Sequence, residues 1–126
     1  MTHELEQIVI DSFKALDSMS LQSFYENLAD DVETVDEITQ KWNRGKAVVE
    51  QSLNALQGAV TDIKSELSDF SIIEVGGDGA VVTCLLNQSY VYEGQSVSIV
   101  APTTNVFRKD AEGTWKFVLM HSIPFA

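Results

Sequence analysis

Four residues of this 126-residue chain have side chains suited to chemistry and neighbours that give them a context: Asp36, Asn105, His121 and Cys84. Asp36 lies in an extended-looking run in which Val32, Thr34, Asp36 and Ile38 alternate with Glu33, Val35 and Glu37. Strand alternation would put Asp36 on the same face as Val32 and Ile38. A carboxylate facing an apolar cavity has its pKa raised into the range useful for abstracting a proton. The plain alternative is a solvated loop aspartate in an acid-rich chain. Asn105 alternates with Thr103 and Phe107, and either serves a ligand or satisfies a backbone group beside Pro102. His121 alternates with Trp115, Phe117 and Leu119. Facing inward it would be an acid or base; facing outward, the reading we favour, it belongs with Trp115 to an interface. Cys84, alone within a strand-like run, reads as a small buried apolar residue.

Other chemistries lack their residues. The two histidines, His3 and His121, stand at opposite ends of the chain, so no zinc-ligand spacing exists, and no metal or cofactor is implied. Gly76-Gly77-Asp78-Gly79 joins two strand patterns and does not open a helix, so it is no phosphate cradle. No serine has a nucleophile-elbow context. A formal net charge of -11 with only eight Lys and Arg argues against nucleic acid and anionic membranes, both of which need clustered cations. No apolar run is long enough to span a bilayer. No basic segment leads into an apolar stretch at Met1-Thr2-His3-Glu4, and a lone cysteine cannot form an internal disulfide. Together these favour the cytoplasm.

The elements that must position these residues read as helices followed by strands. Leu5, Ile8, Val9, Ser12, Phe13 and Leu16 recur at helical spacing. Ser20 caps a second helix carrying Leu21, Phe24, Tyr25 and Leu28, which ends near Ala29-Asp30-Asp31. Val32 to Ile38 is extended, and Gly45 opens a third helix that stops at Gly58. Strands occupy residues 62–75, 80–92, 96–109 and 114–123, and Pro102 implies an edge or a bulge in the third of these. Both faces of the 80–92 strand are partly apolar, which predicts a second copy of the chain covering one of them. The order of elements predicts a single α+β domain over residues 1–126.

Several local signatures, in this order, resemble the SnoaL-like and ketosteroid-isomerase-like families of the nuclear-transport-factor-2-like superfamily. They are Ala29-Asp30-Asp31, Arg44-Gly45-Lys46, Asn105-Val106-Phe107-Arg108 and Gly113-Thr114-Trp115-Lys116-Phe117-Val118. The resemblance covers nearly the whole chain. It implies a cone-shaped, cystatin-like fold in which a strongly curved antiparallel sheet, backed by helices, encloses a pocket. It also implies homodimers formed through the outer sheet face. By the same resemblance Asp36 matches the position of the catalytic aspartate, and Asn105 that of an oxyanion donor. Ser12 stands where the isomerases carry a tyrosine on the first helix, and Leu53 where they carry another on the third. Those two departures argue against ketosteroid isomerase activity itself.

The expectation is therefore a protein that binds a small apolar organic ligand, with Asp36, Asn105 and Ser12 as catalytic residues. Phe13, Tyr25, Trp42, Leu85, Asn87, Thr103, Phe107, Met120 and Ser122 would line the pocket. Its chemistry would be proton transfer next to a carbonyl, of isomerase, cyclase or dehydratase type. The alternative is a non-catalytic dimeric association or regulatory domain, with Tyr90, Tyr92, Trp115 and His121 at its interface.

Overall fold

A computed structural model describes residues 3–124. Met1 and Thr2, part of the segment read for a leader, and Phe125 and Ala126, inside the expected domain, lie outside the described residues. The elements are α1 (Glu4–Asp17), α2 (Leu21–Glu26), β1 (Leu28–Val35), β2 (Trp42–Arg44), α3 (Lys46–Leu56), β3 (Val60–Val75), β4 (Gly79–Tyr92), β5 (Gln95–Lys109) and β6 (Trp115–Ser122). The strands form one sheet in the order β2-β1-β6-β5-β4-β3. All neighbours are antiparallel except β1 and β6, which run parallel. The class is the expected α+β: helices fill the concave side of a curved sheet.

Curvature comes from irregularities in the long strands. β3 slips register against β4 between Thr61 and Lys64 and again between Ser68 and Ser71. Asp62 and Asp69, within those slips, have φ of 54° and 56°. Each such bulge bends the strand and increases its twist. The concave face of β4 carries Ala80, Val82, Cys84, Leu86, Gln88 and Tyr90, all buried. Ala80, Val82, Cys84 and Leu86 pack with Phe107, Phe117, Leu5, Val9 and Phe24 into one core, in which the Phe107 and Phe117 rings lie 4.3 Å apart.

Three boundaries differ from the periodic reading. The second helix ends at Glu26, and Ala29-Asp30-Asp31 belongs to β1, where Asp31 pairs with Arg108 of β5 at 2.9 Å. β1 itself ends at Val35, and residues 37–39 turn, so Asp36 no longer shares a strand face with Val32 and Thr34. In β6 a bulge falls between the Phe107–Phe117 and Val106–Leu119 pairs, with Val118 as the extra residue. Phe117 therefore faces the core together with Met120 and Ser122, and the expected single face of Trp115, Phe117, Leu119 and His121 is divided. Pro102 sits in a central strand, yet β6 stops at Ser122 opposite Thr103, so β5 is locally an edge at Pro102. That is where a residue without an N–H is tolerated.

Candidate active site

The cavity lies between the helices and the concave face of the sheet. Its apolar wall includes Phe13 and Leu16 of α1, Leu53 and Leu56 of α3, and Val60 and Met120 of the sheet. Polar groups reach it from Thr34, Asp36, Glu37, Asn43, Gln88 and Ser122. Its volume is about 80 Å³, several times the roughly 10–15 Å³ that one water needs and about half of an engineered cavity that admits benzene. It is open at one side, so a ring-sized ligand would leave part of itself in the mouth.

Asp36 reaches the cavity wall, but its carboxylate has another task. Oδ1 accepts hydrogen bonds from the N–H groups of Ile38 (2.9 Å) and Thr39 (2.6 Å), and Oδ2 accepts from Thr39 Oγ1 (2.8 Å). The Asp36 carbonyl also accepts from Gln40 N–H (3.0 Å). This is a side-chain-capped turn, a task for which aspartate is suited. The turn carries the next residue, Glu37, into the apolar cavity. Loss of solvent around its carboxyl, with Asp36 and Asp17 nearby, pushes the Glu37 pKa up to about 7. Strand alternation had assigned Glu37 to the outer face. Only the turn reverses that, and the single signal available in the sequence was an acidic pair next to Ile38.

Asn105 is fully buried, and its Nδ2 donates to the Val82 carbonyl (3.2 Å). The carbonyl fixes the amide's orientation, so the end directed elsewhere is Oδ1, an acceptor without a partner. One N–H is given to Val82 and the side chain lies outside the cavity lining, so Asn105 is not placed to supply an oxyanion donor there. Ser12 is likewise buried, with an unpartnered hydroxyl, and neither residue lines the cavity.

Among the expected lining residues, Phe13, Met120 and Ser122 do line the cavity. Thr103 and Phe107 are buried beside it in the sheet. Thr103 Oγ1 donates to the Ala101 carbonyl (3.1 Å), so the Ser122 hydroxyl, 2.9 Å away, must donate to Thr103. Leu85 and Asn87 lie on the convex face, because Leu86 and Gln88 take the concave positions of β4. Tyr25 turns to a separate groove, where its hydroxyl donates to Asn54 Oδ1 (2.9 Å). Trp42 is exposed, its ring 5.8 Å from that of His121 and beneath the Arg44 guanidinium. His121 is thus outside the cavity. Burial pushes the Cys84 thiol up to about 11, which leaves it no nucleophile. Among the described residues no group of three or more His, Cys, Asp or Glu is placed to hold a metal, and no helix is long and apolar enough to cross a membrane.

A curved sheet closed by helices around a small, mainly apolar cavity defines a class of α+β pocket folds. The model of the SnoaL-like domain matches residues 5–126, and the chain belongs to that family. No curated protein sequence matches the chain. Similar solved structures include a ketosteroid isomerase-like protein from Erwinia carotovora atroseptica, with 15% identity, 96% of this chain and 93% of that chain covered, and a TM-score of 0.81. A candidate dehydratase of the nuclear-transport-factor-2-like family from Streptomyces avermitilis has 23% identity, 98% and 97% coverage, and a TM-score of 0.81. A protein from Catenulispora acidiphila, solved in complex with S-DNPA, has 13% identity, 96% and 90% coverage, and a TM-score of 0.79. At these identities the likeness is one of fold.

Proposed function

We propose that the chain binds a small, mainly apolar carbonyl compound in this cavity and moves a proton on the carbon next to the carbonyl, with Glu37 as the base. The observation that carries this reading is the Glu37 carboxyl in an apolar enclosure, with its pKa raised to about 7. A base of that strength is half ionised at neutral pH and still able to take a proton from a weak carbon acid. Asn43, buried on β2 with its amide on the cavity wall, is the donor to the developing oxyanion. Ser122 is not that donor, because its proton is committed to Thr103. The ligand held by a protein of the same fold supports a pocket use of the cavity.

Exchange of α-protons in D2O tests this, using a panel of small ketones monitored by NMR. The wild-type protein is expected to accelerate exchange for some of the panel, increasingly as pH rises through about 7. Glu37→Gln should lower the rate about 10²–10⁴-fold, and Asn43→Ala about 10²-fold. Asp36→Asn should act through the turn, lowering stability more than it changes chemistry. Full exchange activity in Glu37→Gln would remove the mechanism.

The convex face supports a homodimer as part of the same reading. Ile73 and Val75 are each 60% exposed there, and Leu85, Val106 and Leu119 continue the apolar surface across β4, β5 and β6.

A further inference from the structure

Glu37 enters the cavity without a counter-charge. Loss of water opposes its ionisation most, and Asp36 and Asp17 add to that. Its own backbone N–H and the Gln88 amide relieve only part of the opposition. Among the described residues, none of the eight Lys and Arg lines the cavity, and neither does a histidine. The ionisable groups facing Glu37 are Asp36 on its own turn, Asp17 at the end of α1 and Tyr90 on β4, all of them acids. The side chains that α3 brings to the wall are uncharged. A carboxylate in a low-dielectric enclosure attracts a cation far more strongly than one in water, and no cation of the protein takes that place.

Two more atoms of the wall residues can only accept. Gln88 is 5% exposed, and its Oε1 has no hydrogen-bond partner. Its Nε2 donates to Ser65 Oγ (3.1 Å), which fixes that end of the amide. Ser122 gives its proton to Thr103, so its oxygen has only lone pairs left to offer. A buried acceptor without a donor is disfavoured, so an occupant that brings several donors suits this wall. A primary ammonium head brings three donors and one compact positive charge. A metal ion suits it less, because Mg²⁺ and Ca²⁺ take about six or more oxygens, and the Asp36 oxygens are spent on Ile38 and Thr39. Phe13, Leu16, Leu53, Val60 and Met120 leave about 80 Å³ for a short hydrocarbon tail.

We propose that the cavity is a binding site for a short primary aliphatic amine, held as its ammonium ion with the head on Glu37 and the tail against the apolar wall. Where Glu37 is protonated before binding, its proton leaves to solvent as the ammonium arrives. The ammonium keeps its own three hydrogens, and no covalent bond of the ligand changes. Organic acids are turned away by the same set of carboxyls. The inference shares the cavity and Glu37 with the proton-transfer reading and rests on none of its chemistry. An amine seated there occupies the base and competes with a ketone.

The test is calorimetric titration of the whole chain with isopentylamine, isopentanol and isovalerate. These share one branched skeleton and carry a cation, a neutral hydroxyl and an anion. At about pH 8 the amine is expected to bind about tenfold more tightly than the alcohol, and the acid more weakly than either. With the Glu37 pKa at about 7, amine affinity should fall about 10²-fold between about pH 8 and about pH 5, while alcohol affinity stays constant. At about pH 6, buffers of different ionisation enthalpy should show close to one proton released per amine bound. Glu37→Gln should reduce the amine to the affinity of the alcohol, whose unchanged binding shows an intact cavity. The proton count is read on the wild-type protein and decides the matter should that variant fail to fold. Equal, pH-independent affinities for amine and alcohol, a preference for isovalerate at about pH 8, or no binding of any probe at millimolar concentration overturns the amine site. Each of these leaves ketone exchange by Glu37 to its own test, and amine binding without exchange of any ketone supports this site alone.

Discussion

Placing a glutamate carboxyl among apolar side chains is costly to the fold in one protonation state only. The acid form loses little on leaving water, whereas the carboxylate loses its hydration, so the folded protein binds the Glu37 proton more tightly than the unfolded chain does. With the pKa raised from 4.5 to about 7, the stabilisation is fully present below about pH 4.5 and is lost as pH rises to about 7. The loss is on the order of 3 kcal/mol. The thermal midpoint of the wild-type protein is therefore expected to fall across that window. Glu37→Gln should flatten most of the fall and be the more stable protein at pH 8. Asp17, also raised by burial, leaves a smaller slope of the same sign. A wild-type midpoint that rises between pH 5 and 7.5 would contradict the buried carboxyl. At this scale strand alternation brought a carboxylate to the cavity wall, but not the one whose pKa burial raises most. A carboxylate near position 36 was legible from strand alternation, but Asp36 spends its oxygens on a turn, and that local hydrogen bonding shifts the phase by one residue to Glu37.

The elements hold the cavity open by bending. The β3–β4 hairpin turns at residues 76–78 and re-enters the sheet at Gly79, where a Cβ would stand 2.9 Å from the Val75 carbonyl oxygen. Backbone cannot yield as a side-chain tip can. Gly79→Ala is expected to cost about 1–3 kcal/mol in urea unfolding. Gly77, two residues away, has open space around the Cβ position and no positive φ. Gly77→Ala should be neutral or stabilising by up to about 1 kcal/mol. Equal effects of the two substitutions would show that contact with Val75 is not what selects glycine at position 79. Helix and strand types were legible because their apolar periods differ. Bulges were not, because an extra residue such as Val118 leaves no mark in composition and reverses only the residues beyond it. Hence Phe117, Met120 and Ser122 share the concave face although their numbering mixes both parities.

For the whole molecule, the convex face of the sheet carries the exposed apolar side chains of Ile73 and Val75. If a second copy covers it, the protein at micromolar concentration should scatter light with twice its 13.9 kDa chain mass. Val106→Glu, which puts a charge on the outward side of the central strand β5, should return it to one chain mass. A wild-type protein of single mass would remove the dimer. The sequence by itself determined the α+β class, the order of nearly every element and the lack of clustered cations for nucleic acid, because periodicity, turn residues and net charge are local or additive properties of a chain. Its apolar doubling on β4 also pointed to a covered outer face. Which of two alternating sets faces inward was decided only by the tertiary structure. Leu86 and Gln88 face the core, not Leu85 and Asn87, and Glu37 enters the cavity, not Asp36. The physical reason is that strand alternation fixes relative phase, while absolute phase is set where strands bulge, turns cap and helices pack across the sheet.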